Sequence, residues 1–306
     1  MGRFEHVRRP EIADLMLLAT VLIWSLNFTV TKYVLNQGFR PLAYGGLRFG
    51  TAAIMFAGLT YARERSFAMR RRDLVYLAGA AVIGITLNQV TFIYGTKLTT
   101  AATVALIFGM VPILTALFAR AAGIEQLHSR FWVATAVSFA GVVLVAVGAK
   151  GSLGGHLLGY ALDLAGAATW AAYSVAIAPL MRSYTASRIS FYGLTIGVLP
   201  ILVIGAPQLA AQDYSFPPRV WFAFAFAVAG PLVLTNLLWF NAINRVGPSR
   251  AAIYTNLQPF FGAIFALVIL SESFTRLQVA GGFLIAVGIL LSRREQPALV
   301  ARESAT

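Results

Sequence analysis

Ten apolar stretches, each about 20 residues long, follow one another along this chain with only short polar joints between them. That is the length a helix needs to cross the hydrocarbon core of a bilayer, where an exposed loop or sheet edge leaves backbone groups unsatisfied. The stretches run 13–35, 41–62, 74–95, 99–119, 131–149, 157–179, 187–206, 218–240, 249–270 and 275–292. Only 11% of the 306 residues are charged and the mean hydropathy is +0.75, whereas a soluble chain is about one quarter charged. The expected fold is an all-α membrane protein of ten transmembrane helices.

The net charge of +13 is unevenly placed. With both termini cytoplasmic, 17 of the 24 basic residues fall in cytoplasmic segments. Outside lie Lys32, Arg40, Lys97, Lys150, Arg219 and Arg276, and Arg48 remains within the second span. Basic residues set membrane orientation in this way, so the charge reads as topological rather than as a nucleic-acid footprint. The first span is too long for a cleaved signal peptide and reads as an uncleaved signal anchor. The chain has no cysteine, which excludes disulfides, thiolate metal sites and cysteine nucleophiles. No phosphate loop or HExxH motif occurs, and His6, His128 and His156 lie at helix ends or in loops. The expectation is no enzyme, no cofactor and no metal.

A weak internal repeat has an offset of 147 residues. Under it Pro112 falls on Pro259, Phe118 on Phe265, Glu125 on Glu272, Gly141 on Gly288, Gly46 on Gly193 and Gly50 on Gly197. With one fewer residue, Trp24 meets Trp170. The division is a tail 1–12, a five-span half 13–149, a second half 157–292 and a tail 293–306. Five is odd, so the second half enters the membrane the opposite way round. Inverted repeats are a device of secondary carriers, which bind solute near the midplane between the halves.

These features together resemble the EamA family of the drug/metabolite transporter superfamily. The resemblance rests on a tryptophan in the first helix of each half and on two matched joints. One reads Pro112-Ile-Leu-Thr-Ala-Leu-Phe followed by Glu125, the other Pro259-Phe-Phe-Gly-Ala-Ile-Phe followed by Ser271-Glu272-Ser273. It covers roughly 14–147 and 159–292, although Ala122-Gly123-Ile124 departs from the usual joint before Glu125. It implies a transporter, most often an exporter, of amino acids or other small metabolites. A broad amphiphile exporter and a non-transporting receptor or scaffold are the competing readings. The expected partners are a small solute, the lipid bilayer and a coupling proton, in a monomer or homodimer.

Trp24, Asn27 and Thr31 share a face of the first span by i, i+3, i+7 spacing, as do Asp163, Trp170, Tyr173 and Ser174 in the sixth. Asn88 and Gln89 lie in the third span, Asn236 and Trp239 in the eighth, Tyr254, Asn256 and Gln258 in the ninth. Aromatic walls with a few amides and hydroxyls are what a pocket for a small amphiphilic solute needs. The plainer reading is hydrogen bonding between helices, worth about 0.6 kcal/mol each. Pro112 and Pro259, at matched positions, are candidate bending points, with Pro179 and Pro231 behind them.

Two charges lie well inside spans, Arg48 and Asp163. At about 1.5 Å per residue both are expected roughly 6–8 Å outward of the midplane. Equal depth allows a gating ion pair between them. Alternatively, Arg48 takes a substrate carboxylate or snorkels to the headgroups, and Asp163 carries a coupling proton.

Overall fold

The computed structural model describes residues 12–123, 129–148, 153–246, 254, 255 and 257–293. Every regular element among the described residues is helical. In chain order they are α1 (Ile12–Asn36), α2 (Pro41–Glu64), α3 (Arg71–Ala81), a π-helical turn (Val82–Leu87) and α4 (Asn88–Leu98). Then come α5 (Ala101–Phe108), α6 (Val111–Ala121), α7 (Ser129–Gly148) and α8 (Leu153–Ile177). A 3₁₀ turn (Leu180–Arg182) leads to α9 (Ala186–Ala210) and α10 (Pro218–Val228). A second π-helical turn (Ala229–Leu234) is followed by α11 (Thr235–Val246), α12 (Gln258–Leu270) and α13 (Arg276–Arg293).

Among the described residues, six segments are long and apolar enough to cross a membrane: Ile12–Asn36, Pro41–Glu64, Arg71–Leu98, Ala101–Ala121, Ala186–Ala210 and Pro218–Trp239. Three shorter apolar helices are Trp132–Val145, Gln258–Leu270 and Arg276–Gly288. The chain is a multi-pass, all-helical membrane protein. Glu125, His128, Asn256 and the two tails, apart from residue 12 and residue 293, lie outside the described residues.

The helices are less regular than uninterrupted apolar runs imply. The third stretch contains the π turn at Val82–Leu87 and the eighth the one at Ala229–Leu234. The fourth is broken at Gly109-Met110, between α5 and α6. A π turn widens the helix by one residue and loosens its hydrogen-bond ladder, and such turns gather at functional sites.

Packing pairs helices from the two parts of the chain. α2 lies on α9, α5 on α12, and α7 on α13, while α4 and α6 pack on α8, and α11 and α12 on α1. In hydrocarbon no solvent drives helices together, so close approach at small residues supplies the attraction. The α7–α13 contact shows this most clearly. A Cβ on Gly141 would stand 2.6 Å from the Gly281 carbonyl oxygen, and one on Gly281 2.5 Å from that of Gly141. Backbone meets backbone, so no side chain can yield. Gly141→Val should therefore lower stability by about 1–3 kcal/mol, as overpacked cores do. Thermal denaturation of the purified protein checks this; an unchanged Tm would mean that the helices tolerate separation.

At the end of the bundle that carries the 65–70 turn, Glu64 and Arg188 form an ion pair at 2.6 Å. Arg188 Nη1 also donates to the Ala68 carbonyl, and Tyr192 donates to that of Phe67. These contacts hold the α2–α3 connection against the start of α9.

Candidate functional site

Four aromatic candidates from three helices meet. The Trp24 ring of α1 lies 6.3 Å, edge-on, from Trp170 of α8 and 5.2 Å from Trp239 of α11. Trp170 is in turn 5.9 Å from Tyr173. Aromatic pairs at such distances contribute about 0.5–1.5 kcal/mol beyond their buried area. Tyr173 is buried, whereas all three tryptophans keep part of their surface open. Trp239 therefore packs inside the bundle against Trp24.

The two π turns form the surfaces against which this cluster rests. Tyr173 lies over Gly84 in the first, where a Cβ would be 2.1 Å from its Cγ, so only glycine leaves room for the ring. Trp24 faces the second: its Nε1 donates to Thr235 Oγ1 at 2.8 Å and to the Pro231 carbonyl at 3.3 Å. That carbonyl also accepts from the Thr235 hydroxyl at 2.7 Å. Pro231 thus sits within a widened turn whose carbonyl receives a partner from another helix.

The polar candidates divide. Asn88, next after the first π turn, donates to the Gly166 carbonyl at 2.8 Å and ties α4 to α8. Gln89 donates to Asn88 Oδ1 at 3.0 Å, and its own Oε1 is buried without a partner. Asn27 is buried one turn beyond Trp24, with its Oδ1 3.5 Å from the Thr31 hydroxyl. Asn236 donates to the Leu232 carbonyl of its own helix segment. The buried Gln258 offers its carbonyl to Ser25 at 3.3 Å. Tyr254 donates to Asp14 Oδ1 at 2.8 Å and packs with Leu17 and Trp239, toward the start of α1.

The expected Arg48–Asp163 pair is not formed, and among the described residues no ion pair joins them. Arg48, 2% exposed, donates through Nη1 to the Tyr44 hydroxyl at 3.2 Å and to Thr31 at 3.4 Å. Its guanidinium lies over the Tyr44 and Phe49 rings, 5.3 and 5.2 Å from their centroids. Asp163 is fully buried on another side of the bundle, its Oδ2 2.8 Å from the Thr99 hydroxyl. Its Oδ1 has no hydrogen-bond partner and lies where a Cβ on Gly95 would be, 2.1 Å away. The two charges point to different neighbours, Arg48 to Tyr44 and Thr31, Asp163 to Thr99.

Sequence reasoning overlooked what surrounds Asp163. Lys32 of α1 donates to the carbonyls of Thr96, at 2.9 Å, Lys97, at 3.1 Å, and Thr99. It caps the C-terminal end of α4, where the helix dipole favours a cation. On the other side of the same turn, Glu272 accepts the amide N–H groups of Ala101 and Ala102, both at 3.0 Å, and caps the start of α5. The Thr99-Thr100 turn is thus clamped by α1, by α8 and by the α12–α13 connection. Lys32 had read only as a basic residue flanking a span, and the signal for its role was its position one residue after the Thr31 face.

Pro112 is the second residue of α6, directly after the Gly109-Met110 break, and Pro259 the second of α12. The Pro259 ring lies on Gly109, where a Cβ would be 2.7 Å from its Cγ. Pro179 begins the turn after α8.

The geometry is that of a multi-pass helical membrane bundle with a partly open aromatic cluster between three helices. The chain belongs to the EamA-like transporter family, whose model matches it twice, over residues 11–147 and 157–294. It is 27% identical over 287 residues to the uncharacterized transporter YyaM of Bacillus subtilis, covering 90% of this chain and 92% of that one. It is 25% identical over 297 residues to a probable amino-acid metabolite efflux pump of Salmonella typhimurium, covering 90% and 92%. A solved protein structure shares the fold with a TM-score of 0.64 at 19% identity, covering 93% of this chain and 99% of the other. Family membership makes the protein a transporter of the drug/metabolite superfamily rather than an enzyme.

Proposed function

We propose that this protein is a secondary-active exporter of amino acids or related zwitterionic solutes in the bacterial inner membrane. The observation that carries this reading is the Trp24–Trp170–Trp239 cluster, partly open and resting on two widened turns from different parts of the chain. Aromatic faces supply area to the solute's apolar part, and Asn27, Asn88 and Gln89 are the nearby amides. Two distant relatives, from Salmonella typhimurium and Escherichia coli, are named probable amino-acid metabolite efflux pumps.

In this reading ten spans form two inverted five-helix halves with both termini cytoplasmic. The packing pattern supports it. Exchanging the halves turns the α4–α8 contact into α1–α11 and the α6–α8 contact into α1–α12, while α2–α9 and α7–α13 map onto themselves. The π turns at Val82–Leu87 and Ala229–Leu234 differ by the same 147 residues as the sequence repeat. Alternating access is then a rocking of the halves about the tryptophans, with Pro112 and Pro259 as bending points. The Lys32, Asp163 and Glu272 clamp closes the outer end and the Glu64–Arg188 pair helps close the inner one. Asp163 is the protonatable member of the outer closure and the candidate for coupling.

Proteoliposomes loaded with labelled L-amino acids test the reading. Saturable efflux of at least one, stimulated by unlabelled solute on the far side, is the expected result. Saturable binding without flux would point instead to a receptor. Flux of cationic amphiphiles but of no amino acid would point to a broad drug exporter.

A further inference from the structure

We propose that Arg48 is the anchor for a carboxylate on the transported solute, which restricts the substrate class to molecules bearing that group. This rests on the transporter reading above and sharpens it. A guanidinium stays charged at any physiological pH, so Arg48 cannot escape burial by losing a proton. At 2% exposure, eight residues and hence about 12 Å along α2 from Arg40, its charge does not reach the headgroups. Its contacts are the Tyr44 and Thr31 hydroxyls and two ring faces, all neutral, and Nε has no partner. The one carboxylate expected to pair with it, Asp163, is bound to Thr99. A planar fork with an unused N–H matches a carboxylate better than it matches hydroxyls.

Arg48 is also placed correctly with respect to the aromatic cluster. Its partner Thr31 lies on the α1 face that carries Asn27 and Trp24, and Thr31 is seven residues, about 10 Å, beyond Trp24. A solute with its apolar part on the tryptophans and its carboxylate at Arg48 would span that interval along α1. At the start of α2 a cavity of about 290 Å³ is lined by Arg40, Pro41, Tyr94, Lys97 and Gln208, two cations and no acid. Gln208 is fixed there by accepting the Leu42 amide and donating to Tyr94. The solute reaches Arg48 when the outer clamp opens.

The test compares acids with their amides on the purified full-length protein. The probes are L-leucine, L-phenylalanine, L-threonine, L-tryptophan and 3-phenylpropionate, each against its carboxamide, by calorimetric titration and thermal shift. At least one acid should bind at least ten-fold more tightly than its amide. Arg48→Gln should erase that preference, and Arg48→Lys should keep part of it, because charge survives while the fork is lost. If Arg48→Gln fails to fold, the acid–amide comparison on the parent and on Arg48→Lys still decides. Amides binding as well as acids, no acid binding at all, or Arg48→Gln retaining the preference would each overturn the proposal. Flux in proteoliposomes separates the two readings. Equal transport of acid and amide removes Arg48 from the site and leaves the transporter standing. Absence of any flux counts against the transporter, while the titration still judges Arg48.

Discussion

Replacing Trp24 by alanine should weaken solute binding by about thirty-fold or more, equivalent to roughly 2 kcal/mol. Trp24 touches both other tryptophans and reaches the second π turn, so its loss opens the site on two sides at once. Trp24→Phe separates the contributions. It keeps a ring but loses the N–H that bonds Thr235 and Pro231, and the expected loss is about five-fold, or roughly 1 kcal/mol. Both are read by titration with a solute that passes the flux test, with Tm recorded on the same samples. A fall in Tm alone would make Trp24 a packing residue. Unchanged affinity in Trp24→Ala would remove the aromatic cluster from the pathway.

Lys32→Met should open the clamped turn. Methionine fills much of the same volume but cannot donate to the Thr96, Lys97 and Thr99 carbonyls. Hydrogen bonds from a charged donor contribute about 1.5–3 kcal/mol each, and buried carbonyls left unpaired are costly besides. The chain has no cysteine, so a single introduced thiol reports without background. Thr96 suits this purpose, being fully buried with a hydroxyl that bonds nothing. In Thr96→Cys, a membrane-impermeant maleimide should react at least ten-fold faster when Lys32 is also replaced by methionine. Equal labelling rates would mean that Lys32 merely caps α4 and holds nothing shut.

The helices were legible because hydrocarbon imposes a length on any span and apolar runs of that length are hard to disguise. The aromatic cluster was legible in part because i, i+3, i+7 spacing places Trp24 and Asn27, and Trp170 and Tyr173, on common faces. The π turns were not, since widening a helix by one residue leaves its composition apolar and its boundaries unchanged. The Arg48–Asp163 pairing failed for a geometric reason. Counting residues along a span fixes depth, and depth says nothing about which way a side chain points around the bundle. Lys32 was missed because a lysine at the end of an apolar run usually sits at the headgroups, whereas here a broken-off turn offers it three carbonyls.

The matching wide turns have a historical consequence. Val82–Leu87 and Ala229–Leu234 lie 147 residues apart, and each is met by an aromatic side chain, Tyr173 over Gly84 and Trp24 at the Pro231 carbonyl. On the two-copy reading, a single insertion in an ancestral five-helix gene, made before that gene was duplicated and fused, accounts for both.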